Sequence, residues 1–587
     1  MRSEASSPGE GPAASTAAAP APGEASRNRW VLAELAILFF LLAHSVAYVW
    51  LSDSFHENAT RLSWCADEVT VPLLQGKLLE WLGTQTYYPP LFHLYMGLCP
   101  FGTRLLSLPA MVLWSDLLLA AGFAGLAVGL RARHPPAAGA AALLLLVGFP
   151  LVNVYAKAPH FESGLLALAG ALLAVLLASG ELPGRSGCIC LGVLTASAVL
   201  CKWTAVLYLA GPLLVAAWFT ATGPGGARPA LVGLATIGLV SLALTGPWFY
   251  GCMDWERFRA TLANTPTNAD VSGLAGYRLR LGLCFDYLSA SVGSSLLPLV
   301  AAGCWLAFRR HPRTAVLLTA SAAVPIVILP AFSHIEIRYV APALPALAAL
   351  AGLGLASAAP SWRRLGLGLL LVLAPAQALD RTWTGALGPC PIPEAGPQDC
   401  FDSRLQMSWD SSATARAVVE RCAYWAGKMR QGRGWMRFSG HPLEAFPGLK
   451  SSVFVTLQRR AGILQTPLLF VDYAPHDYRT FVTDVAGNAF DFLVLSEQTL
   501  AVDQRQARDV LLSGWTYVPQ GGAYSPNPDP PPLDDPLVLA RIRANFGVVE
   551  TLQGECGLVW VLVRRSLWER QPAAPPLTPL PPARGAV

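Results

Sequence analysis

A succession of long apolar runs constrains this chain more than any other feature of its sequence. A helix rises about 1.5 Å per residue, so about 20 apolar residues cross roughly 30 Å of hydrocarbon. Runs of suitable length and composition lie at 30–51, 106–130, 137–156, 161–180, 187–203, 204–222, 229–250, 287–308, 314–332, 339–358 and 365–380, eleven in all, with 187–222 dividing around Lys202. Composition agrees: 13% of the residues are charged, 53% are apolar and the mean hydropathy is +0.43. Soluble domains carry about a quarter charged residues. A net charge of +5, from 42 basic and 37 acidic residues, gives no case for nucleic acid. Twelve cysteines in 587 residues form neither a disulfide scaffold nor a CxxC zinc knot. The predicted fold class is an all-α polytopic membrane bundle of about eleven transmembrane helices, with a small C-terminal extracytoplasmic α/β domain.

Loop charge orients the bundle. Residues 1–29 are rich in Ala, Pro, Ser and Gly and read as a disordered tail. The first run follows Arg27 and Arg29, exceeds a signal peptide's apolar region and lacks an evident small-residue cleavage site, so it reads as a retained span. Arg131, Arg133, Arg185, Arg228, Arg309, Arg310, Arg313, Arg363 and Arg364 fall in alternate loops on the same side as that tail. The positive-inside rule places this side in the cytoplasm. The other side receives 52–105, 156–161, 251–286, 333–338 and everything after about 380, so the predicted protein is an integral multi-pass protein of the cell membrane with its C-terminal part outside. Residues 381–587 read as a water-soluble α/β domain with a Pro-rich end: strands near 467–472, 490–495 and 557–563, helices near 418–429 and 505–512. Cys390, Cys400, Cys422 and Cys556 lie there, where disulfides and free buried thiols both remain open.

Four polar patches fall on the outside face of this topology. The first loop holds Asp67-Glu68, and Thr70 could then cap a helix whose apolar face is Val71, Leu74, Leu78, Trp81 and Leu82, lying in the interface plane. On spacing alone, Asp67 also reads as an acid favourable at a helix start. Tyr87-Tyr88-Pro89-Pro90-Leu91-Phe92-His93 is a rigid extended turn with aromatics suited to the headgroup boundary, which an aromatic belt would equally explain. Tyr155, Lys157, His160 and Glu162 crowd into eight residues, where charges are costly unless paired, hydrated or used. A plain Lys157–Glu162 pair would satisfy that cost. His334-Ile335-Glu336-Ile337-Arg338-Tyr339 is a polar knot whose arginine suits phosphate by its planar fork, or simply snorkels. Lys202 reads as an anchor or a contact to an anionic ligand. Arg257, Arg259, Arg278 and Arg280 in the loop 251–286 could cover a phosphate or meet anionic headgroups. Glu34, His44 and Asp116 face other helices or the interface, and Asn58-Ala59-Thr60 is a glycosylation sequon where the machinery exists.

At these residues the chain resembles the GT-C superfamily of polyprenyl-phosphate-sugar-dependent glycosyltransferases, in particular the protein O-mannosyltransferase and aminoarabinose transferase group. The elements appear in family order over roughly 30–380: Asp67-Glu68; Tyr88-Pro89-Pro90-Leu91; Arg104-Leu105-Leu106-Ser107; Tyr155-x-Lys157 with Glu162 downstream; Leu200-Cys201-Lys202; and Arg338-Tyr339-Val340-Ala341-Pro342-Ala343-Leu344-Pro345. Tyr88 stands where members often have Lys, Lys157 where they have Arg, and Glu162 where Asp is more usual. The resemblance implies an enzyme that moves a single sugar from a polyprenyl-phosphate carrier to a lipid, glycan or protein acceptor. Asp67 would be the base of an inverting transfer and Glu68 its positioning partner. Lys157, Arg338, Tyr339, Lys202, Tyr88 and His93 would bind donor phosphate and substrate, and Glu162 would hold a divalent metal ion or orient Lys157. No organic cofactor is implied. The rival readings are a lipid-linked polysaccharide polymerase or ligase, a non-enzymatic lipid or glycan transporter, and an anchored binding module whose function rests in 381–587.

Overall fold

The computed structural model describes residues 22–52, 76–77, 89–99, 108–157, 160–256, 259, 273–331, 337–380, 409–429, 436–440, 468–470, 489–496, 515–518, 523–526, 542–554, 557–570 and 576–579. Among the described residues, every regular element of the first part is a helix. In chain order the helices are α1 (Pro22–Ser52), α2 (Leu91–Gly97), α3 (Leu108–Arg133), α4 (Ala137–Gly148), α5 (Pro150–Lys157), α6 (Phe161–Ser179), α7 (Arg185–Cys201), α8 (Ala205–Ala221), α9 (Ala227–Gly251), α10 (Gly273–Val292), α11 (Leu297–Arg310) and α12 (Pro312–Ile328). Two 3₁₀ turns, Leu329–Ala331 and Ile337–Ala343, then lead to α13 (Leu344–Ala356) and α14 (Pro360–Leu379).

Among the described residues, six segments are long and apolar enough to cross a membrane, or up to eight when each bent pair is taken as one span. The chain is built as an integral membrane protein of helical type. The expected eleven spans are not all of crossing length. α7 and α8 are 17 residues each, separated where the sequence suggested: Lys202 breaks the helix with extended backbone at φ −157° and ψ 125°. The run 137–156 bends by 73° between α4 and α5, where Pro150 has no N–H to continue the α4 ladder. The run 287–308, expected as one span, is instead the end of α10 and most of α11, turned by 105° at Gly293, whose φ is +82°. Apolarity carries no record of such a turn. Likewise, part of the expected loop 251–286 is helical from Gly273, so Arg278 and Arg280 sit within α10.

A tight seam lies between α3 and α6. A Cβ on Gly122 would sit 2.2 Å from the carbonyl oxygen of Ala167, and one on Gly129 would sit 2.5 Å from that of Ala174. Small residues let the two backbones meet, which is the main way helices associate where lipid gives no hydrophobic drive. Because α6 begins at the polar patch 160–162, this seam fixes one wall of that patch.

In the C-terminal part, strands β1 (Met436–Gly440), β2 (Leu468–Phe470), β3 (Phe492–Ser496), β4 (Trp515–Val518), β5 (Ala523–Pro526), β6 (Phe546–Gly554) and β7 (Gly557–Arg564) form two sheets. The larger has the order β2-β1-β3-β7-β6, with the first two pairings parallel and the last two antiparallel. Helix α15 (Trp409–Met429) packs Val418, Val419 and Cys422 against Phe492, Val494, Val561 and Val563. Arg421 clamps Glu550 with two 2.9 Å bonds from one nitrogen, and the Trp425 indole donates to the same carboxylate. Three expected strands and one helix are present; the expected helix 505–512 lies outside the described residues. Cys422 is a free, buried thiol whose pKa burial pushes up. Cys390, Cys400 and Cys556 lie outside the described residues.

If the α3–α6 seam organises the bundle, Gly122→Leu lowers stability by about 1–3 kcal/mol or more. Gly238→Leu, where a Cβ meets nothing within 4 Å, leaves it unchanged. Thermal unfolding of the full chain in detergent checks both.

Candidate active site

Helix ends assemble the site. Glu162 lies in the first turn of α6, where a negative charge favours the helix dipole, and Lys202 caps the C-terminal end of the neighbouring α7, where a positive charge does. The two ends lie side by side. The Cys201 thiol donates to the Phe161 carbonyl at 3.4 Å, and a Cβ on Gly164 would come within 2.6 Å of the Cys201 sulfur. Glu162 is 1% exposed, and both of its oxygens are engaged: the Lys202 ammonium donates to Oε1 and His160 Nδ1 to Oε2. The carboxylate is therefore paired with Lys202 and His160, not with Lys157.

His160 is itself held by its surroundings. Its backbone N–H donates to Ser163 Oγ at 3.2 Å, and that hydroxyl donates to the Tyr155 carbonyl at 3.0 Å. The Tyr155 and His160 rings stand 5.8 Å apart. His93, buried on α2, meets the Phe161 ring edge-on at 4.8 Å, so the Pro-Pro segment ends against the start of α6. On the other flank, the Lys202 ammonium lies 5.1 Å from the centre of the Tyr339 ring, and the Arg338 guanidinium 5.7 Å from the same centre. Cations on an aromatic face gain more where water is scarce. The Tyr208 hydroxyl of α8 donates to the Tyr339 carbonyl at 2.6 Å and pins this 3₁₀ turn in place.

The structure thus joins His93, Tyr155, His160, Glu162, Lys202, Tyr339 and Arg338 in one chain of contacts. Lys157, at the end of α5, is buried next to this group, and its ammonium lies over the Tyr48 ring of α1 at 4.7 Å. Asp67, Glu68, Tyr88, His334 and Glu336 lie outside the described residues, as do Arg104 to Ser107. Of the expected interface helix over 70–82 only Gly76 and Lys77 are among the described residues; neither is helical, and Gly76 takes φ +72°, which glycine enters without a Cβ clash. Arg280 is turned inward and donates to the Pro330 carbonyl at 2.9 Å. Glu34 forms an ion pair with Arg131 at 3.3 Å, away from this site. Sequence reasoning missed His160 as a partner of Glu162; its place two residues before the acid, ahead of an apolar helix, was the available signal.

Among the described residues no three His, Cys, Asp or Glu side chains converge. A divalent cation on Glu162 would have to displace Lys202 and His160, so the residues present do not fit a resident metal at this carboxylate. The arrangement suits anion binding: Lys157, Lys202 and Arg338 come from three separate segments, and Lys202 and Arg338 share the Tyr339 ring.

No protein-family profile matches the sequence, and no curated protein does. Solved structures do. ArnT from Cupriavidus metallidurans in the apo state aligns with a TM-score of 0.54 at 17% identity, covering 94% of this chain and 100% of that one. The same protein bound to undecaprenyl phosphate aligns at 0.50, again with 17% identity, over 94% of this chain and 99% of that one. The Archaeoglobus fulgidus oligosaccharyltransferase tethered to an acceptor peptide aligns at 0.45 and 11% identity, over 84% of this chain and 74% of that one. The fold is accordingly shared with ArnT, in line with the aminoarabinose transferase resemblance of the sequence.

Breaking the buried pair from one side should cost more than removing both charges. Lys202→Met leaves Glu162 short of a cation and destabilises by about 3–5 kcal/mol, while Lys202→Met with Glu162→Gln costs less than the sum of the single changes. Unfolding of the four proteins in detergent measures the coupling.

Proposed function

We propose that this protein is a membrane glycosyltransferase that moves a single sugar from a polyprenyl-phosphate carrier to an acceptor on the extracytoplasmic face. The observation that carries the reading is the meeting of Lys202 and Arg338 on the Tyr339 ring, beside the α6 terminus that follows the buried Lys157 of α5. It is supported by the shared fold with ArnT, a protein whose structure holds undecaprenyl phosphate. Orientation follows from the loop arginines, with the N-terminus cytoplasmic and the C-terminal part outside.

Nucleotide sugars are not available outside the cytoplasmic membrane, so the sugar arrives on a lipid phosphate whose tail lies between helices. In an inverting transfer the acceptor oxygen attacks the anomeric carbon, its proton passes to a base, and the carbon–oxygen bond to the lipid phosphate breaks. Asp67 is the base in this reading and Glu68 positions the acceptor or Asp67. A positioned base contributes about 10²–10⁴-fold. Negative charge builds on the departing phosphate, and Lys157, Arg338 and Lys202 stabilise it. Tyr339 holds the last two cations in place, while Tyr88 and His93 line the approach. Glu162 keeps Lys202 charged and oriented in this scheme, and the metal role is not needed for any step. The clustering of Glu162, Lys202 and Arg338 at helix ends favours transfer over transport, which would place its ionisable groups at the bilayer midplane.

Mass spectrometry of envelope lipids, glycans and glycoproteins with and without the protein should show loss of a single-sugar modification. Asp67→Asn should abolish that modification at an unchanged amount of folded protein. Full modification in the variant would contradict the role of Asp67, and loss of a whole oligosaccharide would point to the ligase reading.

A further inference from the structure

Beside the site, three helices turn polar side chains toward one another inside the bundle. α1 presents His44, Ser45 and Tyr48, α3 presents Val112 and Asp116 one turn apart, and α5 presents Asn153 and Lys157 one turn apart. Tyr48 packs on Val112, and the Lys157 ammonium lies over the Tyr48 ring. This brings Lys157 to the side of α3 that carries Asp116, where opposite charges on the two favour each other against the cost of burial. Asp116 is 0% exposed and Lys157 5%. Ser45, whose hydroxyl donates to the Leu41 carbonyl at 2.8 Å, stands next to the Asp116 carboxylate. Asn153 donates to the carbonyls of Val147 (2.6 Å) and Phe149 (3.1 Å), groups at the bend between α4 and α5, and so fixes the direction in which α5 delivers Lys157.

A lone carboxylate at this depth would be expensive, and charged side chains inside membranes are normally paired or used. Asp116 takes no part in the transfer described above, and its nearest use is Lys157. At low effective dielectric an opposite charge acts strongly even without direct contact.

We propose that Asp116 is a positioning residue: from within the bundle its carboxylate holds the Lys157 ammonium charged and oriented for the phosphate of the lipid carrier. The inference rests on the glycosyltransferase reading. It adds a buried acid that touches neither sugar nor phosphate and acts only through Lys157.

The test is titration of the full-length protein in nanodiscs with undecaprenyl phosphate, read by native mass spectrometry and accompanied by thermal unfolding. Asp116→Asn and Lys157→Gln should each weaken binding about tenfold or more. The double variant should bind no worse than Lys157→Gln alone, because the carboxylate acts only through that lysine. A merely structural role for Asp116 would lower the unfolding temperature and leave affinity unchanged, or add its effect to that of Lys157→Gln; either result overturns the proposal. Asp116→Ser, small enough to sit beside Ser45, carries the same test if Asp116→Asn does not fold. Absence of binding by the unaltered protein would instead defeat the glycosyltransferase reading, and this inference with it.

Discussion

The cost of a charged group inside a helix bundle governs this structure. Glu162 is almost wholly shielded from solvent, and it is tolerable there because Lys202 and His160 occupy both of its oxygens. The pairing needs the N-terminus of α6 and the C-terminus of α7 side by side, which Gly164 permits at one end and the glycine seam of α3 supports along the helix. Tyr339 then lies under Lys202, and Arg338 follows on the same ring. One ion pair thus orders residues drawn from positions 93 to 339.

Among the described residues, the Glu162 carboxylate is held by Lys202 and His160, while Lys157 and Arg338 bring further positive charge to this part of the bundle. A site of this kind favours an incoming anion more than an incoming cation. That preference, rather than the identity of any one residue, links the geometry to a lipid phosphate. It also explains why Glu162 is better read as a holder of Lys202 than as a metal ligand.

Much of the bundle was legible in the sequence because hydrocarbon leaves a direct compositional mark. The break at Lys202 showed as a charge between two short apolar runs. The sharp turn at Gly293 was hidden, since both of its arms are apolar and only a positive φ distinguishes them. Pairings were hidden as well. Lys157 and Glu162 are five residues apart and invited each other as partners, yet the fold gives Glu162 to Lys202, forty residues away. Asp116 carried no local signal of its relation to Lys157, because that relation is made by α1 and α5 converging on α3. In the C-terminal sheet, alternating or continuous apolar runs revealed β3 and β7, while the short β1, with Arg437 and Ser439 in its five residues, did not stand out.

The most direct measurement is an experimental structure of the full-length protein with a bound polyprenyl phosphate. The account requires the phosphate within hydrogen-bonding reach of Lys157, Lys202 or Arg338, with the Asp67 carboxylate facing it across a space wide enough for one sugar. A phosphate bound at the opposite end of the bundle, or Asp67 far from these cations, would contradict it.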